Sequence, residues 1–264
     1  MNWNVIAGLV LRYTYLYRRS VPRMIEMIFW PVMDLLVWGF VTVYLKNLNP
    51  DVPGAVTFLL GAMIFWDIIY RSGQGVTMSF LEDVWSRNLL NIFVAPVRLR
   101  EFLAATFIVG IIKIAIIVIL LAVLASSIYH FQLWDLGGAL LPFIANLLLM
   151  GWSIGMISTA LILRYGQAVE ALAWAIPFLI QPLAAVFYPV EVLPAPLQVI
   201  AKTIPATHVF EGMRAVLGGQ SDATNQLLAA TGLNVIWLAG AMTFFGMMFS
   251  AARKHGYLSK FGTQ

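Results

Sequence analysis

Apolar residues fall into long runs separated by short charged stretches. A helix needs about 20 mostly apolar residues to cross the roughly 30 Å hydrocarbon core of a bilayer. Such runs occupy Ile25 to Leu45, Ala55 to Tyr70, Phe102 to Ala125, Ala139 to Leu163, Ala168 to Phe187 and Leu227 to Ala251. The pattern predicts an all-α integral membrane protein with six transmembrane helices over residues 25–251. The second run is short, but its weakly polar flank lets it extend through Gly73 and Gly75 toward Met78. Ahead of the first run, Trp3, Ile6, Val10, Tyr13 and Tyr17 recur at spacings of three and four among Arg12, Arg18 and Arg19. That spacing predicts an amphipathic helix within residues 1–24, lying in the membrane interface and ending near Pro22, rather than a disordered basic leader. The stretch has neither the apolar core nor the cleavage site of a signal peptide.

Composition supports a membrane setting. Hydrophobic residues make up 61% of the 264 and charged residues 11%, too few charges to cover a soluble globule of this length. Mean hydropathy is +0.86. The chain has no Cys, which excludes a disulfide framework, a thiolate nucleophile and Cys-ligated metal. A net charge of +4 invites a nucleic-acid reading, but the positions of the charges argue against one. With both termini inside, twelve of the sixteen Lys and Arg face the cytoplasm, including Arg12, Arg23, Arg71, Arg98, Arg164 and Lys254. Lys46, Lys202 and Arg214 are left outside. This is the bias that orients membrane proteins, and it accounts for the basic charge without a nucleic-acid partner. Residues 252–264 then form a cytoplasmic tail.

Two connections do not read as ordinary loops. Between the second and third runs, Leu81, Val84, Trp85, Leu89, Ile92 and Phe93 share one helical face, with Glu82 and Asp83 in the first turn and Pro96 as the stop. A short helix over about 81–94 is expected beneath the membrane. It either rests on lipid headgroups or docks a cytoplasmic partner. In the other connection, six of the twelve prolines lie between Pro177 and Pro205, in a stretch that stays apolar where it should emerge outside. Irregular backbone survives at membrane depth only when buried in protein or lining a cavity. The expectation is a helix broken at Pro189, a short return, and a second helix from about Pro205 to Leu217. Together they form an outer re-entrant segment over about 188–218.

Charges inside spans are costly and need partners. Lys113 lies near the middle of the third run, with Asp34 or Asp67 as its expected counter-ion; alternatively Asp67 pairs with Arg71 at the inner interface.

These elements in this order resemble the ABC-2 type permeases. The resemblance covers essentially the whole chain. Its most specific strings are Phe187-Tyr-Pro-Val-Glu-Val-Leu-Pro194 with Ile204-Pro-Ala-Thr-His-Val-Phe-Glu-Gly-Met-Arg214, followed by Ala95-Pro-Val-Arg98. It implies the transmembrane subunit of an ABC exporter in a bacterial inner membrane, moving polysaccharides, lipid-linked glycans, amphiphilic drugs or related cargo outward. It also implies a second permease copy, most simply in a homodimer. The stretch from Glu82 to Asn91 becomes a coupling helix, with Glu82, Asp83, Trp85, Arg87 and Asn88 docking the ATPase subunit. The N-terminal helix becomes an interface helix. The outer segment is carried by Tyr188, Pro189, Glu191, Pro194, Pro205, His208, Glu211 and Arg214. A substrate path between copies would draw on Phe29, Trp30, Trp38, Phe65, Trp66, Trp174, Phe178 and Gln181. No Gly-x-x-x-x-Gly-Lys-Ser/Thr loop occurs in the sequence, so ATP and Mg are expected on a separate chain. No catalytic residue, metal site or cofactor is expected in this one.

Two rival classes are weaker. Gly151-Trp-Ser-Ile-Gly155 matches the Gly-x-Ser-x-Gly of serine hydrolases, which would suit a rhomboid-like protease. His130, His208 and His255 all lie outside the runs, leaving Ser153 without a base. Gly151 and Gly155 read better as small residues at a close helix contact. A passive channel or scramblase would give the docking helix no purpose, and no ring of like charge marks a filter.

Overall fold

A computed structural model describes residues 2–48, 53–85, 97–166, 169–220 and 222–254. Among these residues every regular element is helical. Helix α1 covers Trp3–Arg18, α2 Val21–Leu48, α3 Pro53–Trp85, α4 Leu99–Tyr129, α5 Leu140–Tyr165, α6 Leu172–Leu183, α7 Ala195–Ala201, α8 Pro205–Leu217 and α9 Thr224–Lys254. Short 3-10 turns at Leu133–Ala139 and Val190–Val192 precede α5 and α7. Among the described residues four stretches are long and apolar enough to cross a membrane: Val21–Leu48, Arg100–Tyr129, Leu133–Tyr165 and Thr224–Ala252.

The two remaining apolar runs differ from expectation. α3 is a single 33-residue helix in which Asp67, Arg71 and Gln74 interrupt the apolar sequence. It absorbs Leu81 to Trp85, so the start of the expected separate helix at 81–94 is the last turn of α3; residues 86–96 lie outside the described residues. The fifth run, expected over Ala168 to Phe187, forms only the twelve residues of α6. Its break comes at Ala184 and Ala185, not at Pro189. Pro177 and Pro182 each lack an N–H for the helix ladder, and Ala185 turns into the left-handed region at φ 51°.

The core is built on α3 and α5, which pack closely together. Their contact depends on glycine. A Cβ on Gly151 would strike the Ile69 carbonyl and the Ser72 side chain, and one on Gly155 would strike the Gly73 carbonyl. The missing side chains let the backbones approach, so that Thr77 Oγ1 donates to the Gly155 carbonyl at 3.2 Å. Ser153, between the two glycines, donates to its own helix at Leu149 O, 2.9 Å away. On its other side α5 meets α9 through side-chain amides. Asn234 Nδ2 donates to the Asn146 carbonyl at 3.0 Å and to Asn146 Oδ1 at 2.8 Å, while Asn146 Nδ2 donates to Thr231 at 3.2 Å. On the far side of α3, α2 and α4 cross where the Tyr129 ring fills the space beside Gly39 and its hydroxyl donates to the Leu36 carbonyl at 3.2 Å.

α1 lies across one end of this bundle. Ile6, Leu9 and Tyr13 are buried against Phe80, Leu81, Phe102 and Leu163. The buried face is therefore rotated from the expected one: Leu9 joins it and Trp3 points outward, 68% exposed. α1 ends at Arg18, and Pro22 sits in the first turn of α2, where its missing N–H costs nothing.

Substitution at the glycine contact tests this packing. Gly155→Ala is expected to lower stability by about 1–3 kcal/mol through overpacking. Gly240→Ala, whose Cβ would meet open space, should leave it unchanged or raised. Thermal unfolding of the two variants in detergent separates them.

Candidate functional site

A cavity of about 950 Å³ runs between α2, α3, α4 and α6. Helical periodicity builds two of its walls. On α2, Arg23, Met27, Trp30, Asp34 and Trp38 recur at spacings of three and four and line it for about 22 Å at 1.5 Å per residue. On α3 the matching stripe includes Trp66, Asp67, Tyr70, Arg71, Gln74, Glu82 and Trp85. α4 adds Lys113 and Ile117, and α6 adds Trp174, Phe178 and Gln181.

The half of the cavity away from α1 is aromatic. Trp38 stacks on Phe187 with centroids 4.5 Å apart, and Phe178 sits 5.5 Å from Tyr70 and 6.4 Å from Trp66. Six of the expected path residues line the cavity: Trp30, Trp38, Trp66, Trp174, Phe178 and Gln181. Phe65 does not. It precedes Trp66 around the helix by about 100°, is fully buried, and packs edge-on against Phe143 at 6.0 Å. Phe29 also lies outside the lining, edge-on to Trp30 at 5.4 Å. Phe187, Tyr70 and Met27 belong to the wall without having been expected there. The stripe on α2 marks the face, but only the fold shows what covers it.

Charged side chains share the lining, Arg23, Glu82 and Lys113 toward α1 and Asp67 and Arg71 next to Trp66 and Tyr70 along α3. Arg71 Nε donates to both oxygens of Asp67 at 2.8 Å, and Arg23 lies 3.8 Å from Glu82. The Lys113 ammonium rests 3.4 Å over the Tyr17 ring. The expected Lys113 pairing with Asp34 or Asp67 is thus replaced. Arg71, one turn along α3, takes Asp67, and a ring on α2's neighbour α1 takes the ammonium by cation–π attraction.

Beside this end, α1 is fastened to the bundle. Arg12 bonds Asp83 Oδ1 and Tyr13 Oη donates to Asp83 Oδ2 at 2.8 Å. The backbone N–H of Asn2 donates to Glu101 Oε1 at 2.7 Å on α4. Burial, reinforced by the Asp83 carboxylate, pushes the Tyr13 phenol well above its ordinary pKa, so it stays a donor. Asp83 is 1% exposed and spent on these bonds, which corrects its expected place among the docking residues. Glu82 faces the cavity. Trp85 stands 47% exposed, with Nε1 3.4 Å from Glu170 Oε2. Arg87 and Asn88 lie outside the described residues.

At the opposite end the break after α6 is closed by α8. Arg214 Nη2 donates to the Ala185 and Tyr188 carbonyls, and Glu211 Oε1 accepts from the Val190 N–H at 2.9 Å and from Arg214 Nη1 at 3.3 Å. Tyr188 Oη donates to the Pro182 carbonyl at 2.7 Å. Three of the expected outer residues therefore converge on one turn, and this turn aims Phe187 at Trp38. His208 lies apart, its Nε2 3.0 Å from the Lys202 carbonyl. Pro194 and Pro205 precede α7 and open α8, while Pro189 caps the 3-10 turn and Glu191 lies within it, both exposed. Among the described residues no three His, Asp or Glu gather to hold a metal.

Comparison with protein-family models matches residues 39–251 to the family described as ABC-2 family transporter protein. The chain belongs to the ABC-2 permeases. No curated protein matches it. Membership makes this a multi-pass transport subunit rather than the ATPase of its transporter. In these terms the cavity of the permease is a candidate substrate site, and the last turn of α3 a candidate contact for the ATPase.

Two measurements follow. Arg214→Met should cost about 3 kcal/mol, because it strands buried carbonyls and the Glu211 charge, whereas Glu211→Gln keeps an acceptor for Val190 and should cost about 1 kcal/mol; unfolding of each variant in detergent reads the difference. Because the chain has no native Cys, single cysteines report the lining directly. Gln181→Cys should react readily with a water-soluble maleimide, and Phe65→Cys should react only after denaturation.

Proposed function

We propose that this permease is the membrane-spanning half of an ATP-driven exporter that moves an amphiphilic, lipid-linked or polysaccharide-type substrate outward across a bacterial inner membrane. The observation that carries the reading is the cavity, whose lining combines aromatic rings and charged side chains along α2 and α3. An amphiphile offers the same two kinds of surface. α3 and α6, with the turn that follows α6, supply the second and fifth spans, which gives six spans and puts both termini in the cytoplasm. The α1 end is then the cytoplasmic end, in keeping with the Arg-rich α1 and the positive-inside bias.

Function in this reading is conformational rather than chemical. A separate ATPase subunit binds ATP and Mg and closes, and the connection from Glu82 to Asn91 receives the motion. Two permease copies, most simply a homodimer, shift about their shared surface to turn the cavity outward. Trp85 is the described residue best placed to meet the partner, being large, aromatic and half exposed at the end of α3. Asp83 acts on the protein's own side of that contact by fastening α1 to the moving end.

Co-purification with the ATPase subunit tests the proposal. Trp85→Ala is expected to lose most of the associated ATPase and the substrate-stimulated hydrolysis while the permease itself remains folded. Full retention of the ATPase by Trp85→Ala, with coupling intact, would remove α3's end from the contact.

A further inference from the structure

The charges lining the cavity do not balance. Four carboxylates, Glu26, Asp34, Asp67 and Glu82, face three cations, Arg23, Arg71 and Lys113. Each cation is engaged: Arg71 by both oxygens of Asp67, Arg23 by Glu82 at 3.8 Å, and Lys113 by the Tyr17 ring. Among the described residues, Asp34 and Glu26 make no ion pair or hydrogen bond. Asp34 is the more telling of the two. It stands at the middle of α2, thirteen residues from Val21 and fourteen from Leu48, where an uncompensated carboxylate is most costly in a spanning helix. Trp30 and Trp38 lie one turn below and above it on the same face, and Trp66 and Phe178 line the cavity across from it.

We infer that the cavity binds an organic cation carrying apolar rings, with Asp34 as its counter-ion. This rests on the reading of the cavity as the substrate site and narrows the substrate class. The physical case has two parts. An aromatic face attracts a cation most strongly when water is excluded, and indole does so best among the side chains. A carboxylate one turn from each of two indoles adds a full charge inside the same ring of contacts. Arg71, the cation that acts on Asp34 from α3, is held by Asp67 and is not released to neutralise it. Lys113 keeps to the α1 end over Tyr17. Glu26, two turns toward that end on the same stripe of α2, offers the ligand a second anionic contact on the way in.

Tetraphenylphosphonium and tetraphenylborate test the assignment, since they match in shape and differ in the sign of their charge. Binding of each to the full chain in lipid nanodiscs is followed by tryptophan quenching. Comparing variants with the unmodified chain cancels the unequal partition of the two probes into lipid. Asp34→Asn is expected to weaken tetraphenylphosphonium by about tenfold or more and to leave tetraphenylborate unchanged or tighter. Asp34→Glu should keep most of the affinity for the cation and shows that the site still folds. The inference is overturned if the cation fails to bind the unmodified chain, if Asp34→Asn leaves its affinity unchanged, or if the variant weakens both probes alike. No ATPase is needed for this measurement. A chain that captures its ATPase yet fails here loses only the cation site, whereas one that binds the cation and captures no ATPase loses the export reading instead.

Discussion

Hydrocarbon offers no hydrogen bonds, so each charge or peptide group the chain takes out of water has to be met by the chain itself. Most of the architecture answers that constraint. The helix that fails at Ala184 leaves backbone groups without partners; Arg214 on α8 donates to the Ala185 and Tyr188 carbonyls, and Glu211 accepts from the Val190 N–H. Asp83 is met by an arginine and a phenol from α1, and Asp67 by the arginine one turn along α3. The amides of Asn146 and Asn234 answer each other between α5 and α9. Against this background an unanswered carboxylate in the cavity is an exception, and exceptions to a strict rule are where ligands belong.

The same constraint explains why so much depends on two glycines. Polar groups can meet across two helices only if the backbones come close. Gly151 and Gly155 let α5 press against Ile69, Ser72 and Gly73, and Thr77 then finds the Gly155 carbonyl. The pair becomes the frame on which the other helices are arranged: α9 behind α5, α2 and α4 beside α3, and α8 over the end. The motif that could be mistaken for a nucleophile elbow is a contact surface, with its serine turned onto its own helix.

How far the sequence could be read depended on whether a feature is local. The helical class and the small-residue contact follow from spacings of three and four, and the structure contains them; α1 is helical too, but buries a face turned from the expected one. Trp30, Trp38, Trp66, Trp174, Phe178 and Gln181 could be picked out because ring-rich faces on neighbouring helices tend to meet. Phe65 could not be rejected, since one position along a helix decides whether a ring faces the cavity or the core. Asp83 looked like a surface charge because its partner Arg12 lies 71 residues away in sequence. Charge alone matches Lys113 to a carboxylate, whereas the partner that the fold brings to it is the ring of Tyr17. The fifth run looked long enough to span because its residues are apolar, but two prolines and a left-handed alanine end the helix early.

α3 is a long unbroken rod. Of its 33 residues only the first, Pro53, is proline, and Gly73 lies within its close contact with α5. Measured from that contact at 1.5 Å per residue, Trp85 lies about 18 Å away on one side and Trp66 about 10 Å on the other. A rigid rod rocking about that point would carry its two indoles in opposite directions, Trp66 by nearly half less than Trp85.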